Sequence, residues 1–174
     1  MPLQNRVTPF GEIIATDARG DFMGNRGGCL HDAERRLVRQ WAGRAWITCR
    51  LEFKGNRRTV MTPGLYTELL FLDEATALAA GHRPCAECRR DDYRRFKALF
   101  ADALAARAVT IKTAPDMDAV LHAERLSPQR TEAEARDLPD GVMVALEGEA
   151  WLKWGNALHA WTPPATPPAA RLAT

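Results

Sequence analysis

Cys85 and Cys88 stand two residues apart in "GHRPCAECRR", between a helix-stopping Gly81 and the most regular helical pattern in the chain. This placement restricts the fold more than any other feature, because the turn holds two thiols side by side and their partners must come from distant sequence. A zinc ion takes four ligands at ~2.0–2.3 Å, and a C-x2-C knuckle supplies half of that tetrahedron with little strain. A redox dithiol also sits at a helix start, which lowers a thiol's pKa, but an apolar strand would lead into it where "GHRP" stands here. "MPLQNRVTPF" lacks the apolar segment of a secretion signal, so none is expected, and no apolar run approaches the ~20 residues of a membrane span. The expected location is the cytoplasm, where thiols stay reduced and paired cysteines favour a metal over disulfides.

The pattern along the chain predicts an α+β protein. Residues 6–16 read as a short extended segment, and Gly20, Gly24, Gly27 and Gly28 mark a loop around Asn25 and Arg26 whose backbone can approach a ligand. In "HDAERRLVRQWAGR", Leu37, Val38 and Trp41 give one apolar side of a short helix. "AWITCRLEF" alternates as a strand, and Gly55-Asn56 is expected to turn it into a hairpin with Cys49 on the buried side. "ELLFLDEATALAAG" gives a strand end, an Asp73 N-cap and a short helix with Ala77 and Leu78 inward. Tyr93, Phe96, Phe100 and Leu104 then recur at helical spacing, and a further helix begins near Asp116. "GVMVALEGEAWLKWGNALHAW" reads as an antiparallel meander with Trp151, Trp154 and Trp161 in or beside its core. The expected organisation is a zinc-binding core over 1–115, a helix plus meander over 116–162, and an unstructured Pro-rich tail over 163–174.

Two patterns bear on the partners of the cysteine pair. "PCAEC" matches half of the zinc deaminase signature, with His122-Ala123-Glu124 as its H-x-E, but the order is reversed and His122 reads as a helix-surface residue. The other pattern joins "WITCR" to "LLFLDEATALAAGHRPCAECRR", which together resemble the zinc-binding N-terminal domain of Ada-type methylphosphotriester DNA repair proteins. Residues 46–90 carry the likeness, most specifically Ala80-Gly81, Arg83-Pro84-Cys85 and Cys88. The resemblance implies an Ada-like zinc core of a hairpin plus helices, with Cys49 as first ligand and Cys85 and Cys88 as the last two. Phe53 stands where the family has its second cysteine, which bears on methyl acceptance, the family's chemistry at the first. The fourth ligand must then be Cys29, His31 or His82, and the set His31, Cys49, Cys85 and Cys88 is preferred because Asp32 can orient the free ring nitrogen of His31. Cys29 also fits a small buried hydrophobe.

Charge points to a partner. Residues 1–60 carry eleven Lys/Arg against six acids, and residues 83–97 carry six against three, whereas residues 116–150 hold nine acids against three arginines. A basic zone around the cysteines favours a polyanion, nucleic acid being the commonest, and the resemblance to the Ada-type domain implies DNA. Arg26, Arg50, Arg57, Arg58, Arg83, Arg89 and Arg90 are the candidate phosphate ligands, with the "GNRGG" backbone adding donors. Two other classes stay open: an enzyme using Tyr66, Glu68 and His31 on a phosphodiester or modified base, and a noncatalytic module that docks a protein through its Trp-rich meander.

Overall fold

A computed structural model describes residues 1–55, 59–129 and 131–163. Six short strands form one mixed sheet: β1 (Gln4–Val7), β2 (Ile13–Ala15), β3 (Phe22–Arg26), β4 (Trp46–Arg50), β5 (Leu69–Phe71) and β6 (Arg83–Pro84). Their order is β2-β1-β5-β3-β4-β6, with β1–β5 and β4–β6 parallel and the other pairs antiparallel. Helix α1 (Glu74–Ala79) stands between β5 and β6, and α2 (Arg90–Ala105) and α3 (Ala114–Leu126) follow β6. A separate antiparallel meander, β7 (Met143–Leu146), β8 (Glu149–Trp154) and β9 (Ala157–Ala160), forms as its apolar runs and turns predict.

The two faces of the large sheet differ in kind. Cross-strand partners share a face, so Gly24, Thr48 and Leu69 look one way while Met23, Cys49 and Leu70 look the other. Val7, Ile13, Leu30, Leu69, Phe71, Ala77 and Ala80 form the core on the first side. Gly24 lets Phe71 and β4 close on it, since a Cβ there would meet the Ile47 carbonyl oxygen at 2.0 Å. The second face, with Cys49, carries no such core.

Several local expectations change for physical reasons. The segment 31–44 forms no helix: Asp32 Oδ1 accepts the Glu34 and Arg36 N–H groups, and Arg35 sits at φ 62°, which interrupts an α-helix. The glycine-rich "FMGNR" is strand β3 rather than an open loop, so its backbone is spent on the ladders with β4 and β5. β4 pairs with β3 and β6 in place of a hairpin with the segment after it, and its buried residues are Trp46 and Thr48 rather than the Cys49 side. In α1, capped by Asp73 as expected, Ala77 is buried but Leu78 is exposed. His122 lies in the interior, edge-on to Trp41 with ring centroids 4.8 Å apart, and not on the helix surface. Trp154 is exposed, whereas Trp161 ties the meander to α1 by donating from Nε1 to Thr76 Oγ1 at 2.9 Å.

Helices α2 and α3 pack together through Leu104, Ile111 and Met117, joined by Tyr93, Phe96 and Phe100 as the helical spacing predicts. A Thr113–Asp116 capping box starts α3. The helix is locked to the sheet by a two-pronged ion pair in which Arg83 Nε and Nη2 reach Asp118 Oδ1 and Oδ2 at 2.7 and 2.8 Å. Both side chains are 7% exposed, so removing one partner strands a charge in the interior. Arg83→Ala is expected to cost about 3–5 kcal/mol in chemical denaturation, and Arg83→Met combined with Asp118→Leu to restore most of that loss. Equal stability of the single variant and the parent would show that the pair does not hold α3.

Candidate metal centre

The thiols meet because of strand register. β6 runs parallel to β4 with Ile47 beside Arg83 and Thr48 beside Pro84, and the Cys85 N–H continues the ladder to the Thr48 carbonyl at 2.9 Å. Cys85 therefore arrives next to Cys49. One tight turn later, with Arg89 N–H bonded to the Cys85 carbonyl at 3.2 Å, Cys88 comes back to the same spot at the start of α2. The three Sγ atoms lie within 4.8 Å of one another.

Backbone donors converge on these sulfurs. Glu87 N–H points at Cys85 Sγ at 3.4 Å, the Cys88 N–H joins it, and the Arg50 N–H reaches Cys88. Hydrogen bonds of this kind favour thiolate over thiol. The hydrogen bond from Cys49, with help from the two backbone donors and against the effect of burial, brings the Cys85 pKa down to about 5. Cys49 moves far the other way, mainly because it shares its proton with Cys85 and also because it is buried. Burial, followed by the nearby Cys85, raises Cys88 as well. A triangle of sulfurs competing for protons is the donor set that a cation relieves, and a tetrahedral zinc with ~2.3 Å bonds needs its sulfurs ~3.8 Å apart, within a small side-chain adjustment of this arrangement. The three cysteines can hold a metal ion.

Of the arginines read as phosphate ligands, three are interior. Arg26 is 1% exposed, lies 4.0 Å over the Trp46 ring and donates to the Gly11 carbonyl at 2.8 Å. Its burial, with Arg125 close by, lowers its pKa to about 9. Arg83 is spent on Asp118. Arg89 is held by Glu74 and Asp92 with its guanidinium 4.6 Å over Phe22. Long apolar stems and flat cationic heads suit these aromatic contacts, so the three arginines brace the knuckle and are not a surface for phosphate. Arg50 and Arg90 are exposed and pair with no acid among the described residues. Arg57 and Arg58 lie outside the described residues.

The expected fourth ligand is also corrected. His31 does not join the sulfur cluster. Its Nδ1 meets Thr67 Oγ1 at 2.6 Å and its Nε2 the Thr62 carbonyl at 3.3 Å, while Thr67 Oγ1 accepts the Leu30 N–H at 2.7 Å. The chain of donors gives Nε2 the proton and occupies both nitrogens, so His31 is neither a free ligand nor a free base. Cys29 donates to the His31 carbonyl at 3.2 Å. His82 is buried on the core side, where Nε2 accepts from Arg26 Nε at 3.2 Å; burial and the charges of Arg26 and Arg125 keep the ring neutral.

All three cysteines line an open cleft of about 660 Å³ on the uncovered face of the sheet. Met23, Asn25, Ile47 and Leu70 line it from the strands, with Arg50, Phe53, Tyr66 and Glu68 among the rest of its wall. Glu68 is buried and its Oε2 accepts the Met61 N–H at 2.8 Å. The sequence reading missed Met23 as a cleft residue and put Asn25 in a loop because their glycine neighbours suggested one, and "FMGNR" has no apolar–polar alternation to mark the strand. A scan of protein-family models, a search of curated proteins and a search of solved structures each find no match to this chain.

Metal uptake should carry a proton signature. At neutral pH the metal-free trio holds one thiolate, Cys85, and two thiols, and ligation needs all three deprotonated. Binding a divalent ion at pH 7 is expected to release about two protons, and affinity to fall as pH is lowered, because protons then compete for the sulfurs. Calorimetry in buffers of different ionisation enthalpy counts those protons, and Cys49→Ser should lower both the count and the affinity. Uptake with no proton release would place the ion elsewhere.

Proposed function

We propose that this chain is a zinc protein that binds nucleic acid at the mouth of its three-thiolate centre. The observation that carries this reading is the convergence of Cys49, Cys85 and Cys88 on one cleft that Arg50 also lines, with Arg90 exposed at the first position of α2. Zinc is favoured by an all-sulfur donor set on a C-x2-C knuckle. The same three cysteines are the positions that carry over from the Ada-type repair domain, which supports DNA as the nucleic acid.

Guanidinium groups grip phosphate oxygens in two-pronged fashion without reading sequence, so binding should be salt-sensitive and weakly specific. With Arg26, Arg83 and Arg89 turned inward, Arg50 on the cleft wall and Arg90 two residues after Cys88 are the exposed candidates among the described residues. A second reading is favoured by one specific feature: three protein ligands on an open cleft match the coordination pattern of catalytic zinc, where a bound ion supplies Lewis acidity. Glu68 and Tyr66, which line that cleft along with Glu52 and Glu87, are side chains able to carry a proton for a hydrolytic step on a bound phosphodiester or base.

Replacing both Arg50 and Arg90 with alanine should weaken binding to a short DNA duplex or single strand and reduce the slope of log K against log salt by about two. Fluorescence anisotropy across a salt series measures both quantities. An unchanged slope would remove the basic mouth from the function.

A further inference from the structure

Three sulfurs are one donor short of a tetrahedron, and among the described residues no fourth stands beside them. No other Cys, His, Asp or Glu joins the cluster among the described residues. Positions 56–58, 130 and 164–174, the remainder of the chain, contain none of these four residue types. Phe53, four residues after Cys49, contributes an aromatic wall instead of a ligand.

The rest of the cleft has a definite chemical character. Met23, Ile47 and Leu70 give it a flat apolar floor, because they are neighbours on one face of three paired strands. Phe53 and Tyr66 add rings, and Glu52, Glu68 and Glu87 put carboxylates on the wall, the last of them paired with Lys54 at 2.9 Å. Asn25 Oδ1 is taken by the Gly27 N–H at 3.1 Å, while its Nδ2 donates to nothing among the described residues and is left for a guest. At about 660 Å³ the space falls within the range of small-molecule sites, ~300–1,000 Å³.

Building on the zinc and nucleic-acid reading above, we propose that the fourth coordination position is filled from outside the chain by a nucleobase entering this cleft. A nucleobase has two apolar faces for the floor and the rings, and an edge of donors and acceptors for Asn25. Its ring nitrogens are donors of the imidazole class, which suits zinc. Proteins that take a base out of its stack hold it in this way, between aromatic or apolar side chains with polar contacts along one edge. An aliphatic guest would leave the Asn25 donor unmet, and a bare phosphate would make no use of the apolar floor. Arg50, at the end of β4 and on the cleft wall, is placed for the phosphate attached to the base.

The full chain loaded with Co(II) tests this without relying on any activity, because sulfur-to-metal charge-transfer intensity counts thiolates and the visible d–d bands report the remaining donor. The expected spectrum is that of three thiolates plus an oxygen or nitrogen donor. Its d–d bands should shift saturably on addition of AMP or CMP and stay unmoved by ribose 5-phosphate at the same concentration. Phe53→Ala should raise the half-saturating nucleotide concentration roughly tenfold, in keeping with the loss of a stacking contact, while Phe53→Leu keeps the fold as a control. An equal shift with ribose 5-phosphate, or half-saturation by imidazole at a concentration no higher than that of AMP, would overturn the nucleobase as occupant. A four-thiolate spectrum that loses one thiolate in Cys29→Ser would overturn the open position. Failure to take up Co(II) would instead sink the metal reading on which the inference rests.

Discussion

The parallel pairing of a two-residue strand, Arg83–Pro84, with the middle of β4 is the contact on which the site depends. It sets Cys85 against Cys49 across thirty-six positions of sequence, and the knuckle turn then delivers Cys88 without further help. So short a ladder has little stability of its own. It holds because both of its arginine neighbours are anchored, Arg83 in the carboxylate of Asp118 and Arg89 between Glu74, Asp92 and the ring of Phe22. α3 and α1 therefore stabilise the sulfur triangle from a distance, each through one guanidinium.

Behind the sheet, cations do work that apolar side chains usually perform. The guanidiniums of Arg26 and Arg125 both lie against the Trp46 ring, at 4.0 and 4.7 Å from its centroid. The neutral His82 ring accepts from Arg26 and packs against Trp46 and Phe71. Burying Arg26 and Arg125 in this way lowers the pKa of each, to about 9 and about 10, and both remain cationic at neutral pH. Basic composition in this chain is thus only partly a surface property.

The legible parts of the sequence were those in which a single local rule operates. The Asp73 cap, the helix from Arg90, the helix containing Met117 and the three-run meander all follow from capping, periodicity or turn chemistry. The C-x2-C spacing and the Cys-Arg strand end pointed to the three cysteines that converge. Long-range choices were not legible. Nothing near Cys49 states that β4 pairs with β3 and β6, and that pairing decides which of its faces is buried. Nor does "HRPC" announce that Arg83 meets an aspartate thirty-five positions away in α3. His31 looked like a ligand because its hydroxyl partner, Thr67, is equally remote in sequence.

Within five residues, β4 separates two tasks by parity. Trp46 and Thr48 belong to the interior, while Ile47 and Cys49 belong to the cleft. Side chains at 46 and 48 are constrained by the packing of the whole molecule and Cys49 by its two partner sulfurs, while Ile47 answers to what occupies the groove. Recognition is therefore free to drift over generations at Ile47 and Arg50, beside interior positions and a sulfur that stay fixed, so that new specificity needs no new scaffold.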